Sequence, residues 1–134
     1  MNTITKEEMD EFLVSIGGLE SGIRTDIGPL TDAYIFSVGP GWYGLIKSLI
    51  EELINAGWDK QVCQIKEKFG GLRFYVNSAP KEVHDIIYKY ESISMKTCEV
   101  CGNLGEIQGN PRWLTCLCEE HKYKPKEVSD SKSL

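Results

Sequence analysis

Residues 61–76 read QVCQIKEKFGGLRFYV, and this segment limits how the rest of the chain can be arranged. Apolar and polar residues alternate on both sides of the pair Gly70-Gly71, as they do in strands that bury one face. Two adjacent glycines suit a two-residue hairpin turn because both positions of such a turn take a positive φ. The segment therefore predicts an antiparallel β-hairpin that turns at Gly70-Gly71.

The alternation assigns each side chain of this hairpin to one of two faces. A turn at the glycines places Phe69 opposite Leu72 and Ile65 opposite Val76. Glu67 is the one charged residue on the face that these residues share. The predicted core face consists of Cys63, Ile65, Phe69, Leu72, Phe74 and Val76. The predicted outer face presents Lys66, Lys68, Arg73 and Tyr75 to solvent.

Helical patterns flank the hairpin. Thr5 and Glu8 have the spacing of a capping box, and the helix that they begin should stop at Gly17-Gly18. Residues 42–56 repeat apolar side chains every three or four positions and are followed by Gly57, a suitable helix stop. A third amphipathic pattern begins after Pro80 and runs toward Cys98, and residues 33–38 predict a short strand.

This order of elements predicts an α+β fold, in which a small domain of amphipathic helices packs on a β-hairpin or a small antiparallel sheet. The length of 134 residues excludes two full-sized domains. A net charge of −5 argues against general affinity for nucleic acid or anionic membranes. The first twenty residues are rich in acids and lack the basic start of a signal peptide, so we expect a cytoplasmic protein.

A metal site is the most specific chemical prediction. Cys98 and Cys101 form a C-x-x-C pair followed by Gly102, and after sixteen intervening residues comes the pair Cys118 and His121. Two thiolates from one turn and a thiolate with an imidazole from another complete the tetrahedron that Zn²⁺ prefers. Because four protein ligands fill that tetrahedron, we expect one structural zinc ion per chain.

Alternatives remain at this stage. Cys116 also lies two residues from Cys118 and could replace one of the distal ligands, or the cysteines could be reduced and free of metal. A catalytic zinc would require an open coordination position and a nearby base. The only other histidine is His84, on the flank of a predicted helix, where a surface role is the default.

Several motifs together resemble an uncharacterised family of small phage, prophage and bacterial proteins. They are GWYxLI at residues 41–46, KFGGLRFY at 68–75, and CExCG from Cys98 leading through Trp113 to Cys118-x-x-His121. The resemblance covers about residues 38–121. In that family the second half-site is similar to T-L-C-x-x-[HC], which implies Cys118 and His121 as ligands. The resemblance also implies phage or prophage origin and an accessory role in binding a host or phage protein.

The expected organisation is an α+β domain over residues 1–96, a zinc-ribbon or treble-clef-like module over 97–122 packed on it, and a flexible tail over 123–134. The preferred function is non-enzymatic protein binding, for which the outer hairpin face supplies Arg and aromatic anchors. Trp42 and Tyr43 offer a second aromatic candidate surface. The alternative is a zinc-ribbon protein that binds nucleic acid, against which stand the net charge and acids near the metal ligands: Glu99, Glu106, Glu119 and Glu120.

Overall fold

A computed structural model of the chain describes residues 3–19, 31 and 36–122. These residues form a mixed α+β structure, as the sequence predicts. A 3-10 turn at Pro40–Trp42 leads into the second helix. The elements in chain order are α1 (Lys6–Ser15), β1 (Phe36–Ser37), α2 (Tyr43–Asn55), β2 (Val62–Lys68), β3 (Gly71–Val76), α3 (Lys81–Ser94), β4 (Glu106–Asn110) and β5 (Trp113–Leu117).

The boundaries of α1 follow from local chemistry, and both predictions about them are confirmed. Thr5 accepts a hydrogen bond from the Glu8 amide, and the Glu8 carboxylate accepts one from the Thr5 amide. At the other end Gly17 takes a φ of 87°, and its amide and that of Gly18 cap the last carbonyls of the helix. Because both caps use neighbouring residues, the sequence alone specifies them.

The core lies between the helices and one face of the larger sheet. Helix α2 begins one residue after its predicted start and is followed by Gly57, whose φ is 92°. The Tyr90 hydroxyl of α3 donates a hydrogen bond to Glu52 of α2, which ties the two helices together. Fully buried side chains in this core include Met9, Leu13, Trp42, Ile46, Leu49, Ile50, Leu53, Ile65 and Leu72.

The larger sheet has the strand order β1-β2-β3 and is mixed instead of antiparallel. Strand β1 pairs in parallel with β2, with Phe36 beside Ile65. Helix α2 provides the crossover that a parallel connection requires. Of the strand predicted at 33–38, residues 36 and 37 pair in the sheet, and residues 33–35 lie outside the described part. The predicted tail at 123–134 and most of the loop before residue 31 also lie outside it.

The hairpin is present, but its predicted register is wrong by two residues. Ile65 pairs with Phe74 and Glu67 with Leu72, so the two-residue turn is Phe69-Gly70 instead of Gly70-Gly71. A shift of two preserves the face of each strand residue. It places Phe69 in the turn, where its side chain is 61% exposed instead of buried.

Two contacts explain this turn. The Glu67 carboxylate accepts a hydrogen bond of 2.7 Å from the Gly70 amide, which accounts for the charged residue on the core face. Gly70 itself is buried against the side chain of Ile107 on β4. The prediction that Cys63 lies on the core face is also wrong. A β-bulge between Val62 and Gln64 exposes Cys63 and buries Val62 in its place.

Helix α3 covers the free edge of β3. The Leu72 amide donates to the Ser94 hydroxyl at 2.8 Å, and the Phe74 amide donates to the Glu91 carboxylate at 3.0 Å. These side chains satisfy backbone groups that an exposed edge strand would leave open to pairing.

None of the helices in residues 3–19 and 36–122 combines the length and apolarity that a bilayer crossing needs.

Candidate metal centre

The structure brings together the four residues predicted as metal ligands. Their donor atoms all lie within 4.8 Å of one another. The Cys118 Sγ atom is 3.3 Å from Nδ1 of His121, and the Cys98 Sγ atom is 3.7 Å from the same nitrogen. The Sγ atoms of Cys101 and Cys118 are 3.7 Å apart. This Cys₃His cluster could hold one metal ion.

The distances agree with tetrahedral coordination. Metal–sulfur bonds near 2.3 Å and metal–nitrogen bonds near 2.0–2.1 Å give tetrahedral edges of about 3.8 Å between sulfurs and about 3.6 Å from sulfur to nitrogen. The three distances given above lie within a few tenths of an ångström of these edges. These distances are those that a tetrahedral metal site requires.

Two tight turns present the ligands. In the first, the Gly102 amide bonds to the Cys98 carbonyl at 2.8 Å, and Gly102 takes a φ of 86°. In the second, the His121 amide bonds to the Cys118 carbonyl at 3.2 Å. The hairpin of β4 and β5 returns the chain from one ligand pair to the other.

The surroundings shift the pKa of three of the predicted ligands, and only the shift at Cys98 favours the form that binds metal, since a thiolate and a neutral imidazole are the ligand forms. Burial raises the pKa of Cys98, but hydrogen bonds from the backbone amides of 101, 118 and 100 and from His121 lower it to about 7. Hydrogen bonds to the Cys118 and Cys98 sulfurs raise the pKa of His121. The Asn103 amide lowers the pKa of Cys101, but burial and the neighbouring Cys118 and Cys98 thiols outweigh it and raise the value.

Cys116 does not belong to the cluster. It lies on β5 opposite Ile107, and its side chain is fully buried in the same core as the helices. Burial raises the pKa of Cys116 to about 11, so this thiol keeps its proton at neutral pH. Of the two ligand sets that spacing left open, the geometry supports the set with Cys118 and His121.

The first metal turn is docked directly on the start of α2. The Gly41 amide donates to the Glu99 carbonyl at 2.7 Å, and the Trp42 indole Nε1 donates to the Thr97 carbonyl at 2.8 Å. The Glu99 carboxylate accepts the Gly39 amide at 2.8 Å. A Cβ atom on Gly41 would lie 2.2 Å from the Cys98 carbonyl oxygen. Glycine at 41 is therefore required for the two parts to touch.

Because α2 contacts the first metal turn here, the prediction of an aromatic binding surface at Trp42 and Tyr43 is wrong. Trp42 and Tyr43 were considered as exposed aromatic anchors, and both are buried. The indole of Trp42 is fully covered and satisfies a backbone carbonyl of the metal module. Its role is to join the module, residues 97–122, to the rest of the chain.

The four predicted partner-binding residues share the outer hairpin face as expected, but they do not form one patch. Lys66 pairs across the strands with Arg73, and both are partly exposed. Arg73 and Tyr75 line a cleft of about 330 Å³ together with His84, Tyr88 and Glu91 of α3. The Lys68 Nζ atom instead lies over the Phe69 ring, 5.6 Å from its centroid.

Two exposed residues were missed in the reasoning from sequence. Phe69 was assigned to the core, and Trp113 was noted only as a motif residue; it is 68% exposed. His84 lies beside Tyr88, with ring centroids 6.3 Å apart, and is not among the clustered metal-binding side chains. Phe69 was assigned to the core because the turn was predicted one residue too late. The turn signal at Pro111, close to Trp113, could have indicated a second exposed hairpin turn.

No family model matches this chain, and neither the curated proteins nor the solved structures include a significant match.

Proposed function

We propose that this chain is a non-enzymatic zinc-binding accessory protein of phage or prophage origin. It acts in the bacterial cytoplasm by binding a host or phage protein, a class that includes host anti-phage defence proteins. The motif resemblance supports the origin. One observation carries the binding role: Arg73 and Tyr75 open to the same cleft between β3 and α3.

Donor chemistry supports zinc as the ion. Three thiolates and one imidazole at tetrahedral spacing suit Zn²⁺ better than hard cations, which prefer oxygen ligands. Four protein ligands complete the coordination shell. A closed shell leaves no position for a substrate or an activated water, so this zinc stabilises structure and does not catalyse.

The cleft suits a protein partner with acidic side chains. An Arg guanidinium pairs bidentately with a carboxylate, and Tyr is enriched in interface centres because it buries a large ring while keeping a polar hydroxyl. Arg73 and Tyr75 supply these groups, and Tyr88 adds a second, largely exposed ring at the rim. Lys66 lies beside Arg73 and extends the positive charge along the strands.

The test is capture of a partner from bacterial host lysate by the immobilised protein, followed by two variants. Arg73→Glu and Tyr75→Ala should each reduce capture of the identified partner at least tenfold, while zinc content and unfolding midpoint stay unchanged. Lys96→Glu after α3 and Val14→Ala on α1, both at exposed positions, are matched controls for charge and for exposed apolar area. If both cleft variants retain the partner as well as the parent does, the cleft is not the binding surface.

Nucleic-acid binding is the second candidate, and the positive hairpin face is the observation in its favour. The net charge of −5 and the exposed acids Glu106, Glu119 and Glu120 around the metal cluster oppose it, because they repel phosphates. We expect no retardation of duplex or single-stranded DNA at physiological ionic strength in a gel-shift assay. Micromolar binding that persists there would favour the nucleic-acid function and make Lys66, Lys68 and Arg73 backbone contacts.

A further inference from the structure

The tips of the two hairpins lie side by side at one end of the molecule. The β2–β3 turn contacts β4 through Gly70 and Ile107. The two residues are so close that a Cβ atom added to Gly70 would lie 3.2 Å from a side-chain carbon of Ile107. The β4–β5 turn follows at Pro111 and Arg112. A shared cleft of about 200 Å³ opens between the tips, lined by Glu67, Phe69, Arg112, Trp113 and Leu114.

Two large aromatic side chains stand in solvent at this cleft. Phe69 is 61% exposed and Trp113 is 68% exposed. Trp, Phe and Arg are enriched in the centres of protein interfaces, and Trp and Arg dominate the residues whose truncation weakens binding most. The tip surface, defined by Lys68, Phe69, Arg112 and Trp113, contains residues of these types.

Phe69 also occupies a backbone conformation that is unfavourable for it. Its φ is 55° and that of Gly70 is 86°, the positive pair found in a type I′ turn. Asn-Gly is the favoured pair for such a turn, whereas a bulky side chain at positive φ is strained. An exposed ring gains little from folding that would offset this strain. The contacts of Gly70 fix the backbone of the turn, but they do not require an aromatic side chain at position 69, and a residue kept in spite of local strain is typical of functional positions.

The charges at the tip favour carboxylates. The Lys68 ammonium lies over the Phe69 ring, and Arg112 is exposed next to Trp113. The one acid that lines the cleft, Glu67, is engaged by the Gly70 amide at 2.7 Å. Two cations thus flank two aromatic rings on a chain whose net charge is −5. The net charge opposes a nucleic acid, which carries a phosphate charge on every nucleotide, more strongly than a short segment with a few carboxylates.

We propose that the tip surface binds an extended segment of a partner protein in which acidic residues flank an apolar side chain. The apolar side chain enters the cleft between Phe69 and Trp113, and the carboxylates pair with Lys68 and Arg112. This assignment rests on the proposed role in protein binding and specifies the chemistry of the partner. It uses a surface separate from the Arg73–Tyr75 cleft.

The probe is a synthetic peptide with a central Leu-Phe pair flanked on each side by two Glu residues. Trp113 reports binding directly, because Trp42 and Trp58 are buried and Trp113 is the exposed tryptophan. The peptide should shift the tryptophan emission to the blue and protect it from iodide quenching. The same peptide with Lys in place of Glu, and a twelve-residue oligothymidine, are the charge-reversed and nucleic-acid comparisons.

Phe69→Asn is the decisive variant, because it removes the ring while giving the turn its preferred Asn-Gly pair. It should weaken binding of the acidic peptide at least tenfold while the unfolding midpoint stays the same or rises. Arg112→Glu should weaken binding similarly, and the exposed control Val14→Ala should leave it unchanged.

Three outcomes would overturn the assignment: no binding of the acidic peptide up to millimolar concentration, equal binding by Phe69→Asn, or tighter binding of the lysine peptide or of oligothymidine. The proposed function is judged separately by partner capture through Arg73 and Tyr75. A lysate partner retained by the chain while the peptide fails would refute the tip surface alone.

Discussion

The helices and larger sheet of residues 36–94 differ from the metal module of residues 97–122 in what fills their interior. The first region buries whole rows of aliphatic and aromatic side chains, such as Ile46, Leu49 and Leu53 of α2. In the metal module the buried side chains are all cysteines, namely Cys98 and Cys118 of the cluster and Cys116, which packs in the core of the first region. The module is too small and too polar to be held by apolar burial.

Because of this difference, we infer that each region has its own source of stability. Apolar burial contributes about 25 cal/mol for each Å² removed from water, which supports the helices and larger sheet without any ligand. In the module, the proposed metal ion takes the place of a core, since a site of this kind forms together with its fold. The two regions are then joined through the close contact of Gly41 and Trp42 with the first metal turn.

The largest expected effect is loss of the metal. Cys101→Ser should reduce bound zinc from one ion per chain to nearly none and unfold residues 97–122, because structural zinc contributes on the order of 10 kcal/mol to the folding of small sites. The helices should remain, because their own core is intact. Metal analysis and amide hydrogen exchange measure the two regions separately.

Cys116→Ser is the matched control, since it removes a thiol two residues from a ligand without touching the cluster. It should keep one zinc per chain and lower stability by about 1–3 kcal/mol, the cost of burying a hydroxyl in a thiol's place. Loss of zinc in Cys116→Ser, combined with retention in His121→Ala, would show that the ligands are Cys98, Cys101, Cys116 and Cys118.

The next largest loss of stability is expected where the start of α2 contacts the first metal turn. Gly41→Ala places a Cβ atom 2.2 Å from the Cys98 carbonyl oxygen, so the two regions must separate or deform. We expect a loss of about 3 kcal/mol, at the upper end of the usual range for overpacking. Pro40→Ala, at an exposed neighbouring position, is the control. Chemical denaturation with Trp42 fluorescence as the probe measures both, and an unchanged midpoint for Gly41→Ala would refute the required contact.

Features that depend on neighbouring residues could be predicted from the sequence, and features that depend on distant contacts could not. The four members of the Cys₃His cluster were predicted residue by residue, because C-x-x-C and C-x-x-H spacings and the glycine after Cys101 fix local geometry. The caps of α1 were predicted for the same reason. The register of the hairpin was not, because the turn position depends on Gly70 packing against Ile107, a residue 37 positions away.

Other misses have the same origin. Trp42 was considered as a surface residue because nothing near it in the sequence reveals that Thr97 accepts its indole N–H. The parallel pairing of β1 with β2 depends on where α2 packs. Cys63 was assigned to the core because alternation cannot reveal a bulge. Contacts that are distant in sequence decided the positions of Trp42 and β1, and an irregularity within the hairpin decided that of Cys63.

The smallest expected effect lies in the larger sheet, at the covered edge of β3. Burial raises the pKa of Glu91, whose carboxylate accepts the Phe74 amide. A carboxyl with a higher pKa in the folded protein binds protons more strongly there than when unfolded. Its contribution to stability therefore falls as the pH rises from the unfolded pKa through the folded pKa, and at neutral pH it is unfavourable.

Glu91→Gln should remove this pH dependence, because the amide oxygen can still accept the Phe74 N–H without carrying a charge. We expect stability at pH 7 to rise by no more than about 1 kcal/mol and to vary less with pH between 4 and 7 than in the parent. Zinc should be kept above pH 6 in both proteins, so urea midpoints at pH 6 and pH 7 isolate the effect of the sheet. A larger loss of stability in Glu91→Gln than in Ser94→Ala, which removes the neighbouring edge acceptor, would mean that the charged carboxylate itself strengthens the edge.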